Sequence, residues 1–231
     1  MSEASSTLAS RARPTPAEPA GARKRSRDAT RTKADILRAA REEFCEYGFN
    51  GARVDHIAAR AKANKRLLYH YYGKKEALYE AVLLDAYKEI RLGEKELSLS
   101  RHPPVEAMDR LVRFTFRHFL ANPWFPRLLA VENLQNARFL KQIKDIPALH
   151  SPLVAELTDI LRRGRDSGVF RTDVDPMQLY ISIAGLGYFY VSNMKTLSVI
   201  FGRDLSDFAL IQEREAQAVQ MVLDYLRAGH R

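Results

Sequence analysis

The stretch from Ile36 to Val82 constrains this 231-residue chain more than any other. Three short segments with apolar residues at helical spacing follow one another there, joined by turns of only a few residues. Ile36, Leu37, Ala40 and Phe44 fall on one face of the first, and Gly48 suits the left-handed position that ends it. Thr32 is placed to cap that helix, with Asp35 reaching back three residues later. Val54, Ile57, Ala58 and Ala61 mark a second, shorter helix with Asp55 in its positive first turn. Asn64 caps a third, which carries Leu67, Leu68 and Tyr71 inward. Turns this tight leave room only for a small helical domain, and the last two segments have the form of a helix-turn-helix. That geometry presents one exposed helix to a major groove, so a sequence-specific DNA-binding protein is expected.

The charge distribution agrees. The formal charge is +9; residues 1–85 hold 17 Lys and Arg against 11 Asp and Glu, and residues 86–231 hold 20 against 17. The basic excess sits with the helix-turn-helix, as a polyanion-binding end requires, although mild basicity alone is common among soluble proteins. The single cysteine, Cys45, excludes an intramolecular disulfide and fits a reducing cytosol; beside Phe44 on a helix it reads as a small buried apolar residue. The longest apolar run, Leu179 to Val191, contains Ser182, Gly185 and Gly187 and falls short of the roughly 20 residues that span a bilayer, so a buried helix and a cytoplasmic protein are expected.

Residues 1–27 are rich in Ala, Ser, Pro and Arg, with Pro14, Pro16 and Pro19, and no apolar core follows the basic residues. This composition predicts a disordered basic tail rather than a secretory signal. Arg23, Lys24, Arg25, Arg27 and Arg31 could enter the adjacent minor groove or follow the phosphates, or serve only as a solubilising lead.

Beyond Gly73 the pattern stays helical. A fourth helix is expected from Glu76 to about Arg91, the next from Pro103-Pro104 to Leu120, and another from about Pro126 to Ile143. Ser151-Pro152 reads as a cap with proline at the first helical position, for a helix ending near Gly168. Asp175-Pro176 repeats that device for a helix to Lys195, and the last runs from Ser206 to Arg227. In it Phe208, Ile211, Ala218, Val222 and Tyr225 lie close to a heptad seam, interrupted by Glu215. The fold class is therefore all-α. The expected organisation is a tail (1–27), a three-helix DNA-binding domain (28–75) and a larger helical domain (76–231).

These residues resemble the DNA-binding domain of the TetR family of bacterial transcriptional regulators. The family's reader has Phe-x-x-x-Gly-Phe-x-Gly, Val-x-x-Ile-Ala, Leu-Tyr-x-Tyr-Phe and Lys-Glu-x-Leu. Here these are Phe44 to Gly51, Val54 to Ala58, Leu68 to Tyr72, and Lys75 to Leu78. One departure is Lys62, where the turn usually carries glycine. Either the turn differs slightly or Lys62 adds a phosphate contact. Lys65, Arg66, Tyr69 and His70 lie off the inward face and are candidates for the groove. Arg66 is the candidate base reader, because its fork matches the two guanine acceptors. The resemblance implies that Tyr69 and Lys75 contact phosphate, joined by Arg53.

A single helix-turn-helix buries too little surface for useful specificity, so a two-fold dimer is expected. The resemblance implies that the last two helices, 176–195 and 206–227, pair with their symmetry mates, with Gly185 and Gly187 permitting close approach. It also implies an effector pocket among the middle helices. Phe116, His118, Trp124, Phe125, Asn133, Asn136 and Tyr188 mix aromatic faces with polar groups as such pockets do. His150-Ser-Pro-Leu-Val, the segment from Asp175 to Gly185, and Ser192-Asn-Met resemble a narrower group within the family. It includes repressors of nicotinate and pyrimidine catabolism, which implies a small N-heterocyclic or aromatic acid as effector. The expected function is a homodimeric repressor on a pseudo-palindromic operator, released when that effector moves the fourth helix.

Two other classes are weighed against this reading. An enzyme lacks support: the six histidines show no metal-ligand pairing, and no nucleophile motif or phosphate loop stands out. No cofactor, metal or membrane partner is expected. An effector-independent or architectural DNA-binding protein predicts little sequence preference and no small-molecule response.

Overall fold

The computed structural model describes the backbone from residue 20 to residue 227 and side chains from residue 28 onward. Nine α-helices occupy it: α1 (Ala20–Gly51), α2 (Val54–Arg60), α3 (Lys65–Tyr72), α4 (Lys75–Glu96), α5 (Pro104–Ala121), α6 (Trp124–Leu134), α7 (Ile146–Asp166), α8 (Pro176–Phe201) and α9 (Phe208–Leu226). Among the described residues the only β pairing is an isolated bridge between Phe170 and Arg227. No described helix is long and apolar enough to cross a membrane.

Two capping expectations hold in detail. The Asn64 side chain accepts from the Arg66 N–H at 2.8 Å, and Asp175 accepts from the Gln178 N–H at 2.7 Å, with Pro176 in the first turn. Two others do not. Thr32 lies inside α1, which begins at Ala20, and its hydroxyl donates back to the Asp28 carbonyl at 2.7 Å. The Ala-, Arg- and Lys-rich approach has high helix propensity, so residues 20–27 are helical rather than a disordered lead. Residues 1–19 lie outside the described residues. Ser151 likewise sits within α7, which starts five residues earlier with Pro147 in its first turn. Its hydroxyl bonds the Pro147 carbonyl at 3.1 Å, and Pro152 is carried inside the helix. Three helices also run past their expected ends, α4 to Glu96, α8 to Phe201 and α1 through a kink at Gly48 to Gly51.

The helix expected over 126–143 stops at Leu134. Asn136 and Ala137 both take left-handed backbone, and the buried Glu132 carboxylate accepts from the N–H groups of Phe139 and Leu140 at 2.9 and 2.8 Å. That capture turns the chain and drives Phe139 between Phe49 and Tyr79, with ring centroids 4.3 and 4.9 Å away.

The insertion matters because it joins the two ends of the molecule. One core gathers Ile36, Phe44 and Phe49 of α1, Ile57, Leu68, and Tyr79 to Ile90 of α4 with Phe119, Phe125, Leu128 and Phe139. A second lies among α5, α7, α8 and α9 around Met108, Leu111, Leu157, Ile160, Ile183 and Val222. The DNA-binding helices therefore share a continuous apolar core with α5 and α6 instead of hanging on a linker. Gly187 belongs to that packing too. A Cβ there would meet the Phe119 ring at 3.0 Å and the Phe116 Cα at 3.3 Å, so its close approach is to α5 of the same chain. Gly185 faces outward with open space around it.

Candidate nucleic-acid interface and effector chamber

The reader is a rigid three-helix unit. Leu68 is the fully buried anchor of α3, while Leu67, expected inside, is 38% exposed. An eight-residue helix docked through Leu68, with Tyr71 and Tyr72 partly buried beside it, has only a narrow inward face, and neighbours in sequence point about 100° apart. The Lys62 turn does take the left-handed conformation, with φ of 50°, so lysine occupies the position that glycine fills without strain. Lys62→Gly is expected to raise thermal stability by about 1 kcal/mol, roughly 2–4 °C in melting temperature. If the ammonium also touches phosphate, the same variant will flatten the salt dependence of DNA binding by about one unit of slope.

The candidate DNA-binding side chains fall into two groups. Arg53, Lys62, Arg66, Tyr69 and His70 are exposed on the α2–α3 surface. Lys65 and Lys75 are engaged within the chain. The Lys65 ammonium lies 2.6 Å from Asp55, a solvent-exposed pair that phosphate can displace at small cost. The Lys75 ammonium sits 4.9 Å over the Phe49 ring and 3.5 Å from the Asn50 carbonyl, and burial pulls its pKa below the ordinary lysine value. In the lead, Arg31 stands 4.0 Å from Asp35; the side chains of Arg23, Lys24, Arg25 and Arg27 lie outside the described residues.

A residue the sequence did not single out holds this surface together. Glu43 of α1 is completely buried; one carboxylate oxygen accepts from the Arg53 N–H at 3.1 Å and lies 3.1 Å from His56 Nδ1. The other stands 3.4 Å from the Arg60 guanidinium. Glu43 thus ties both ends of α2 to α1 and satisfies a first-turn donor that has no side-chain cap. The signal available in sequence was a carboxylate three residues beyond Ala40 on the apolar stripe.

The seven residues expected to line an effector pocket are only partly brought together. Phe116 is buried with its ring 5.9 Å from that of Tyr190. His118 and Phe125 are buried, and Trp124 and Tyr188 half-buried, in a packed aromatic cluster with Phe119. Phe119 is its hub, 6.0 Å from Phe125 and 6.3 Å from His118 and Tyr188. Asn133 and Asn136 are exposed at the end of α6. Polar chemistry is gathered instead around Arg91 of α4. Its guanidinium donates to the Tyr180 hydroxyl at 2.9 Å and lies 2.9 Å from Glu94. Burial holds His118 and His150 below the ordinary histidine pKa, and the Arg91 charge adds to the effect in each. A cavity of about 460 Å³ opens between α4 and α7, with Arg91, Glu94, Leu149, Pro152 and Leu153 among its lining. Cys45 is half-buried: burial pushes its thiol up to about 11, and Sγ lies 3.4 Å from the Trp124 carbonyl.

The outer surface of α8 and α9 is apolar. Ile181, Phe189, Met221 and Tyr225 are about half exposed, and Val199, Ile200, Phe201 and Phe208 more so. Glu215, which breaks the heptad pattern, turns inward to Arg113 and Arg117 of α5 at 3.0 and 2.8 Å.

A helix-turn-helix reader fused through a shared core to a larger helical domain defines a DNA-binding transcriptional regulator. Residues 36–82 match the family model described as bacterial regulatory proteins, tetR family, and residues 104–222 match that of the tetracyclin repressor-like C-terminal domain. The chain belongs to the TetR family of regulators, which are not enzymes. It is 37% identical to the transcriptional repressor NicS of Pseudomonas putida, over 79% of this chain and 86% of that one. It is 26% identical to the regulator RutR of Escherichia coli K12, over 88% and 94%. Among solved structures it resembles the transcriptional regulator SCO4942 of Streptomyces coelicolor at 25% identity, with a TM-score of 0.61 over 84% and 98% of the chains.

Proposed function

We propose that this protein is a homodimeric, cytoplasmic repressor that binds a pseudo-palindromic operator and is released by a small-molecule effector. The observation that carries the reading is the exposed face of α3 on a unit locked by Leu68, Glu43 and the Asn64 cap. Arg66 reads a guanine edge with Lys65 and His70 beside it in the groove, while Arg53, Lys62, Tyr69 and Lys75 hold the phosphates. Repression is supported by NicS, a repressor with 37% identity. Pairing of α8 and α9 with their symmetry mates accounts for their apolar outer faces. The resemblance to the nicotinate and pyrimidine group favours a small N-heterocyclic or aromatic acid.

Release requires only that the effector prefer the arrangement that cannot bind DNA; a coupling of about 1–3 kcal/mol gives roughly 5–150-fold in operator affinity. The route for that coupling is α4, which packs against both α1 and α7. The test of the reader is Arg66→Ala on a selected operator. Affinity is expected to fall by about 1–3 kcal/mol per half-site, with discrimination lost at one symmetric base pair in each. An equal loss on operator and scrambled DNA would remove Arg66 from base reading.

A further inference from the structure

Arg91 is a buried cation with three of its five N–H donors unspent. α4 turns it inward against α8 until only 9% of the residue is exposed. Nη2 serves Tyr180 and faces Glu94, whereas Nε and Nη1 are buried with no hydrogen-bond partner. Both Glu94 carboxylate oxygens and His118 Nε2 are buried and lack hydrogen bonds as well. Buried polar atoms left unsatisfied in such number cost stability unless water or a ligand supplies the missing bonds, and Arg91 and Glu94 border a cavity that can hold either.

The surroundings define that ligand. The Arg91 guanidinium lies 5.5 Å from the Tyr180 ring centroid, and the Tyr87 and His150 rings meet edge-on at 5.1 Å nearby, both sensing the Arg91 charge. The cavity at Arg91 is itself lined by the flat and branched apolar faces of Leu92, Leu149, Pro152 and Leu153, and a planar, partly aromatic molecule suits a space between these and the aromatic group behind Arg91. The Nη1–Nη2 edge of a guanidinium matches the two oxygens of a carboxylate in bidentate geometry; here Nη1 is unspent and Nη2 is shared by Tyr180 and Glu94. Glu94 already occupies part of that position at a cost. Burial pushes its carboxyl up to about 7, although Arg91 pulls the other way.

We propose that Arg91 anchors the carboxylate of a small planar aromatic acid through Nη1 and Nη2, and that Glu94, which now faces Nη2, is the resident competitor which this carboxylate displaces. The inference rests on the effector-controlled reading above and specifies its ligand class. It also states how the signal starts, because Arg91 and Glu94 lie on α4, whose first turns pack into the DNA-binding core through Leu78, Val82 and Leu83.

The experiment is calorimetric titration of the full-length protein with benzoate and nicotinate, beside their neutral amides, benzamide and nicotinamide. Wild type should bind the acids and prefer them to the amides by about a hundredfold, the worth of charge-assisted bonds to a buried cation. Removing Arg91 alone leaves Glu94 buried and unpaired, so the informative variant is the double substitution Arg91→Gln with Glu94→Gln, which removes both charges and keeps the shape. It should stay folded by circular dichroism and lose the preference for acids. Glu94→Gln alone should bind the acids about tenfold tighter, which a merely structural role for Glu94 would not produce. Equal binding of acids and amides, equal acid binding by wild type and the double variant, or no heat with either acid would overturn the proposal. Operator release by a neutral heterocycle such as uracil, with the acids inert, would overturn it while leaving effector control standing. DNA binding without sequence preference would remove the underlying reading and this inference together.

Discussion

Phe189→Glu is expected to yield a folded, helical monomer whose operator affinity has fallen at least about a hundredfold. Phe189 is 58% exposed on the outer face of α8, where it borders a shallow groove with Met221 and Tyr225 of α9. The protomer's own core does not need it, so the substitution costs little within one chain. In a two-fold interface the same residue is buried twice. Each copy would then place an unpaired carboxylate against apolar side chains, at several kcal/mol per protomer. A lone helix-turn-helix cannot recover the lost half-site, since specific recognition by such modules relies on two units tied together. Sedimentation equilibrium and fluorescence anisotropy on the same samples check both halves of the expectation. A variant that remains dimeric with unchanged affinity would move the interface away from α8 and α9.

The second large effect is expected at Glu43. Glu43→Ala leaves the Arg53 N–H without its acceptor and breaks the contacts to His56 and Arg60, all beneath the DNA-binding surface. Losing one partner of a buried, hydrogen-bonded charge costs about 2–4 kcal/mol, or roughly 5–15 °C in melting temperature for a protein of this size. Glu43→Gln keeps an acceptor for Arg53 and should recover part of that loss. Urea melts followed by circular dichroism measure the stability, and operator anisotropy should weaken in the same order, because α2 fixes the tilt of α3. A variant with Ala at this position that melts like wild type would show that α2 is held by its apolar face alone.

The parts of this molecule that could be read from sequence are those governed by local chemistry. Asn64 and Asp175 precede helices with open first turns, and no upstream segment competes to extend those helices. Thr32 and Ser151 carry the same cap chemistry but are preceded by residues able to continue the helix, so their hydroxyls fold back onto the previous turn. A cap signal is decisive only where the chain before it resists helix. The helix-turn-helix was legible because its turns leave no other arrangement; the conformation at Lys62 was not, since lysine in place of the usual glycine left a different turn open, and the structure shows the left-handed one kept.

The candidate chamber was not legible from composition. Aromatic residues such as Phe116, His118 and Phe125 fill a core as readily as they line a cavity, and nothing local separates the two. The position of Arg91 did carry a signal that was missed. Leu83, Ala86, Tyr87, Ile90 and Glu94 follow the apolar stripe of α4, so Arg91 and Glu94 are charges on a buried face. A charge on an apolar stripe is more telling than an aromatic on one, since it must find a partner within the fold. Glu43 and Glu215 obey the same rule, and each has its arginine. The sharp end of α6 was beyond sequence altogether, because it depends on Glu132 reaching forward to the backbone of Phe139 and Leu140.

Selection of bound fragments from a random-sequence DNA pool tests whether this chain reads DNA sequence as a symmetric dimer. One inverted repeat is expected to be enriched, with half-sites about one helical turn apart, the spacing of two recognition helices related by a two-fold axis. Recovery of no common motif, with all fragments bound alike and released by salt alone, would contradict it and leave a sequence-independent DNA-coating protein in its place.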